Sequence, residues 1–257
     1  MSYSLGNLFD SPLGVFSFSL IAQWLAAYFG EFLHRRVRPI SKDEREDLNT
    51  VQAAILTLLA LIIGFSFSMA VTRYDLRKNY EEAEANAIGT EYLRVDLFPA
   101  DSVANVRALM RKYLDLRIAF YETADRGELA RINAETTKLQ AELWAATAGA
   151  ANAQPTPVKA LAVAGMNDML NAQGYVQASW WNRIPVAAWA LMGLIAIACN
   201  LVLGYGEHSK RMVLLLVIPI VVSISFLLIA DIDSPRGGVI RVMPVNLIAL
   251  AQSLKGP

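Results

Sequence analysis

The sequence is poor in the residues on which most metal and redox chemistry rests. Of 257 residues one is cysteine, Cys199, and two are histidine, His34 and His208. A lone thiol inside an apolar block leaves no internal disulfide and no thiolate metal site. Two histidines far apart in the chain argue against zinc or iron held by imidazole. Charge is scarce as well, at 18% of the chain, where a soluble domain carries roughly 25%. Net charge is zero, which gives nucleic acid no electrostatic footprint. No nucleophile–base set stands out, so the chain is not read as an enzyme.

In place of these the chain has apolar length, with 55% hydrophobic residues and a mean hydropathy of +0.36. The apolar residues gather into four blocks, at about 12–33, 51–71, 185–205 and 212–230. A bilayer core about 30 Å thick takes about 20 residues as helix, and each block is close to that length. The first block has no basic residue before it and no cleavage-like site after it, so it is read as a span and not as a signal peptide. Trp24, Tyr28, Trp180, Trp181 and Tyr205 near the span ends suit an aromatic interface belt.

The wet segment between spans two and three is helical throughout. Val103, Val106, Met110, Tyr113 and Phe120 mark one face at helical spacing, and Leu129, Ile132, Thr136, Leu139 and Leu143 mark a second. Leu161, Met166, Met169, Gln173, Val176 and Trp180 approach a third stripe. Asp101 or Ser102 is the expected cap after Pro99, "GAANAQPTPV" the expected loop, and Thr156-Pro157 a helix start. From Val51 to about Phe98 nothing breaks the helix, so span two is expected to continue into water as one rod.

The fold class is therefore all-α: an integral membrane protein with four transmembrane helices and a helical extramembrane domain between spans two and three. The expected divisions are 1–71, 72–184, 185–230 and a carboxyl-terminal interfacial segment, 231–257. Arg35, Arg36, Arg38, Lys42 and Arg45 follow span one, and none precedes it. Positive-inside reasoning places that loop in the cytoplasm and the helical domain outside.

Apart from Glu31 and Asp231 at their edges, the spans carry no ionisable side chain. Proton relays and coupled transport use such groups; passive conduction does not need them. In span two Ile62, Phe65 and Met69 share one helical face, and Ser66, Arg73 and Arg77 a neighbouring one. These are the pore-lining candidates if several copies surround an axis, with an Arg73 ring favouring anions. The plainer reading is packing between spans, with Arg73 reaching phosphates. Glu84, Asn86, Gly89 and Thr90 in "EANAIGT" are candidates for close helix packing or for holding a small ligand. Asp231 and Asp233 after span four are read as a weak metal site, or as Asp233 setting the Ser234-Pro235 turn with Asp231 pairing a base. Two carboxylates fall short of the six to eight oxygens calcium takes. "VNLIALAQSL" after Pro244 reads as an amphipathic helix lying on the membrane or on a neighbouring subunit.

"GFSFSMAVTRYDLRKNYEEAEANAIGTEYLR" and "DIDSPRGGVIRV" resemble the signatures of the bestrophin-like family of bacterial membrane proteins. The resemblance runs over nearly the whole chain. It implies a distant likeness to bestrophins, pentameric anion channels with four spans per subunit, in a bacterial inner membrane. Membrane lipids, further copies of the chain and inorganic ions would be the partners, and no cofactor beyond a weak calcium site. Bestrophins clasp calcium with a longer acidic run and keep the helical insert in the cytoplasm, opposite to the charge reading. A non-conducting sensor or scaffold whose helical domain binds a ligand is the alternative.

Overall fold

The computed structural model describes residues 11–36, 42–153, 155–206 and 214–255. The tail before Ser11, Arg38 in the basic loop, His208 and Met212 lie outside the described residues. Among the described residues there are eight α-helices: α1 (Pro12–Arg36), α2 (Lys42–Arg94), α3 (Ala100–Glu122), α4 (Arg126–Ala153), α5 (Pro157–Trp181), α6 (Val186–Gly206), α7 (Leu214–Asp233) and α8 (Val245–Ser253). A single 3-10 turn, Val95–Leu97, follows α2. None of these residues forms a strand. The all-α, four-span expectation holds: four helices are long and apolar enough to cross a membrane. The uninterrupted rod holds too. Its 53 residues make a helix on the order of 80 Å long at 1.5 Å per residue.

The chain separates into two compact units, one of residues 1–73 with 183–241 and one of 74–182 with 242–257. The segment 231–257, expected to stand apart, is divided between them. In the first unit α1 packs along α6 and α7. Gly30 and Gly204 make the α1–α6 crossing close enough for backbone to touch backbone. A Cβ on Gly30 would strike the carbonyl of Leu201, and one on Gly204 the carbonyl of Ala27. With lipid as apolar as leucine, such van der Waals contact is what holds spans together. A buried polar network adds direction. Ser19 Oγ and Gln23 Nε2 both donate to Ser223 Oγ, at 3.0 and 3.1 Å, and Asn200 Nδ2 donates to Gln23 Oε1 at 3.1 Å. Pro219 lies inside α7, where it removes one helical hydrogen bond.

The second unit wraps α3, α4, α5 and α8 around the last turns of α2. Met110, Tyr113 and Phe120 of α3 meet Ile132 and Leu143 of α4 and Met166 and Met169 of α5 in one core. The stripes on α3 and α4 are those expected. On α5 the register differs by one residue: Ala162 is buried and Leu161 exposed, because counting back by four from Met166 reaches position 162. Thr156 caps α5 by accepting the N–H of Lys159 at 3.4 Å, with Pro157 in the first turn. Two boundaries differ. Pro99 itself is the N-cap of α3, without a side-chain cap, so neither Asp101 nor Ser102 serves. The expected loop from Gly149 is helical to Ala153, and Ala150 is buried; three alanines, the best helix formers, outweigh one glycine and one asparagine.

The Gly204 crossing is the point where the first unit tolerates least. Gly204→Ala should lower its stability by about 1–3 kcal/mol, since backbone cannot yield as a side chain can. Thermal unfolding in detergent reads this, and an unchanged midpoint would contradict the close crossing.

Candidate functional site

Span two is the least covered of the four. Only 17% of its apolar window is buried, against 33% in α1 and 50% in α7. Leu59, Ser66 and Ala70 form a narrow buried stripe. Ile62 is half-buried, while Phe65 is 65% and Met69 40% exposed. The structure thus parts the pore-lining candidates: Phe65 and Met69 point away from their own chain, and Ser66, Arg73 and Arg77 point into it.

At the end of that span Arg73 Nη1 lies 3.6 Å from Asp233 Oδ1, with both side chains largely buried. Asp233 also accepts the backbone N–H of Ile184 with both oxygens, at 3.2 and 3.1 Å. Asp231 accepts the N–H groups of Val239 and Ile240 at 2.7 and 2.8 Å, and Ser234 Oγ that of Gly237 at 3.0 Å. The turn folds back over the last turn of α7, and Gly238 is pressed on it so closely that a Cβ would lie 2.5 Å from the Asp231 carbonyl. The two acids have exchanged the roles expected of them: Asp231 sets the turn and Asp233 takes the base. All four carboxylate oxygens already accept backbone N–H groups, and Arg73 supplies the local positive charge. That set does not fit calcium, which would need six to eight free oxygens.

In the second unit α2 continues its buried stripe with charges. Arg77 is fully buried; its Nε and Nη2 donate to the carbonyls of Ser179 and Asn182, each at 3.3 Å. Those are carbonyls at the end of α5, which its own backbone leaves open, and a cation suits that negative pole. Glu81 serves the opposite pole of α8. Its Oε1 accepts the N–H groups of Asn246 and Leu247 at 2.9 and 3.0 Å, and Oε2 accepts Asn246 Nδ2 at 2.6 Å. Capped in this way, with Leu247 fully buried, α8 packs on its own unit, a contact that the expectation of a membrane surface or a neighbouring subunit did not include.

One turn further, Glu84 Oε1 accepts Arg117 Nε at 2.5 Å and Oε2 accepts the Tyr121 hydroxyl at 3.3 Å; acid and base are both wholly buried. The guanidinium stands 4.5 Å from the centre of the Phe120 ring. Burial opposes the charge on Arg117, yet Glu84 and Tyr113 beside it hold it protonated above its ordinary range. Of the remaining candidates in this stretch, Gly89 takes the close approach of Leu250, with a virtual Cβ 3.2 Å from Leu250 Cδ1. Asn86 and Thr90 are exposed. The packing face is Glu81, Glu84, Ala85, Ile88, Glu91 and Tyr92. Arg117 and Glu81 were absent from the candidates. Arg117 was nevertheless detectable, because the stripe from Met110 through Tyr113 to Phe120 passes through position 117. A charge on an apolar stripe is one that must find a partner.

Four apolar spans, a helical insert and this charged seam define a membrane-embedded all-α protein. The Bestrophin-like domain matches residues 18–247, and the chain belongs to that family. Among solved structures it is similar to two single-residue variants of a bacterial Bestrophin homolog from Klebsiella pneumoniae. The first gives a TM-score of 0.65 at 14% identity over 95% of this chain and 96% of that one. The second gives 0.64 at 13% identity over 94% and 99%. At such identity the likeness is one of fold. No curated protein matches the chain.

The buried pair carries a clear expectation for stability. Glu84→Leu leaves Arg117 buried without its counter-charge and should cost about 3–5 kcal/mol. Adding Arg117→Met should restore most of that loss. Chemical denaturation of the two single variants and the double variant measures the coupling; additive losses would show that the pair does not act as one.

Proposed function

We propose that several copies of this chain surround an axis to form a passive anion channel of the bacterial inner membrane, with the second span lining the pore. The observation that carries this reading is the uncovered face of span two. In a chain whose other spans pack on one another, Phe65 and Met69 are left for contacts their own chain does not supply. The absence of ionisable side chains within the spans suits passive flow. Kinship with bestrophins supports the channel, the anion preference and a ring of five. The basic loop after span one supports a helical domain outside the cytoplasm.

Phe65 and Met69 would form an apolar constriction of the kind that gates by dewetting. Arg73 would act at the mouth through its charge, moderated by Asp233. In planar bilayers under a KCl gradient the purified protein should give discrete currents reversing near the chloride potential. Phe65→Ala should raise unitary conductance, and Arg73→Ala, which leaves Asp233 without its cation, should shift the reversal toward potassium. Reversal near the potassium potential in the unmodified protein would overturn the anion preference. Silence from folded, oligomeric protein would overturn the channel and favour a sensor or scaffold.

A further inference from the structure

The stripe on α2 ends with a carboxylate that no hydrogen bond satisfies. Glu91 is fully buried, and neither of its oxygens has a hydrogen-bond partner. It is pressed on the backbone of α5. A Cβ at Gly165 would collide with Glu91 Oε2 and stand 2.5 Å from Arg94 Nη1, so both side chains occupy space that position 165 leaves free. The charged groups around it are Arg94, at the end of its own helix, and Asp168, one turn along α5 from Gly165 and exposed. Arg94 is half-buried beside it without bonding either oxygen. In the 3-10 turn that packs on α5, Asp96 is directed to Arg107 at 2.8 Å.

Every other buried carboxylate on the stripe meets a base or a helix end, as Glu84 meets Arg117 and Glu81 meets α8. Glu91 meets neither, and an ionised carboxylate so placed is strongly disfavoured against the neutral acid. We propose that Glu91 is a proton-binding site: it is protonated while α5 packs over it, and losing the proton loosens α5 from α2. The neutral acid fits between Gly165 and the Arg94 side chain. The anion requires hydrogen-bond donors, and the Arg94 guanidinium beside it bonds neither oxygen in the packed arrangement. The helical unit thereby responds to pH near neutrality, whether or not the spans conduct.

Burial pushes the Glu91 carboxyl up to about 8; Arg94 pulls the other way and Asp168 adds to the rise. The folded value exceeds the unfolded one, so the folded state holds a proton that the unfolded state has released. The cost is absent below the ordinary value of 4.5, grows as pH rises toward 8 and is complete above it. Alkali therefore weakens this packing.

The test uses the full-length protein in lipid nanodiscs, unmodified and as Glu91→Gln. Hydrogen exchange of α5, corrected for the intrinsic rate, should lose at least about tenfold in protection between pH about 6 and about 9 in the unmodified protein. Glu91→Gln, which mimics the protonated acid, should keep its protection. Infrared difference spectra should show a protonated carboxyl band that vanishes over the same range and is missing from the variant. Parallel exchange profiles in the two proteins would overturn the proposal. So would the absence of any titrating carboxyl band in the unmodified protein, which decides the matter even if the variant fails to fold.

Discussion

Charge buried on α2 has to be neutralised, and most of the arrangement follows from how that is done. Counting along the helix in steps of three and four from Ser66 meets Ala70, Arg73, Arg77, Glu81, Glu84, Ile88 and Glu91. One face thus passes from lipid-compatible residues to two cations and then to three anions. Each of the first four charges has a specific answer: the carboxylate of Asp233 for Arg73, the carbonyl end of α5 for Arg77, the amide end of α8 for Glu81 and the guanidinium of Arg117 for Glu84. Removing one partner of a buried pair costs far more than the pair contributes. These contacts therefore specify where α3, α5, α7 and α8 meet α2 more than they add to stability. Among the three anions Glu91 alone has no hydrogen-bond partner, and a proton is the means of neutrality proposed for it.

The stripe also explains what α2 does not cover. A helix that spends one face on its own chain leaves the opposite face to something else, and within the apolar block that face is Phe65, Met69 and the leucines beside them. In the first unit α1 is clamped to α6 by glycine at Gly30 and Gly204 and tied to α7 through Ser223. Span two has the smallest buried share of its apolar window among the spans, 17%, a property that suits a helix at a symmetry axis.

Much of this was legible in the sequence, for physical reasons that differ by residue. The spans could be read because lipid disfavours charge, and within the four blocks almost none occurs. The rod from span two into water could be read because no proline falls between Val51 and Pro99. Thr156-Pro157 is a helix start that needs no tertiary context. Tertiary choices were harder. Whether Asp231 or Asp233 takes the base depends on which way the turn after α7 folds. That α8 docks on Glu81 depends on a contact across 165 residues. In "EANAIGT" the buried positions are Glu84, Ala85 and Ile88, which small residues alone do not reveal, because small size allows close packing but does not say on which face it occurs. Gly30 and Gly204 had the spacing of ordinary loose ends, and only the crossing of α1 and α6 gives them meaning.

The most direct test of the uncovered face is a cysteine scan along span two in the reconstituted protein. The chain's single cysteine, Cys199, is buried and gives little background. Cysteines at Ile62, Phe65 and Met69 should react with a charged, water-soluble thiol reagent that enters from the bulk, while those at Leu59, Ser66 and Ala70 should not. That helical periodicity would place the face on a wet axis. Reaction at Phe65 and Met69 with membrane-soluble reagents only would place it in lipid, and the second span would then not line a pore.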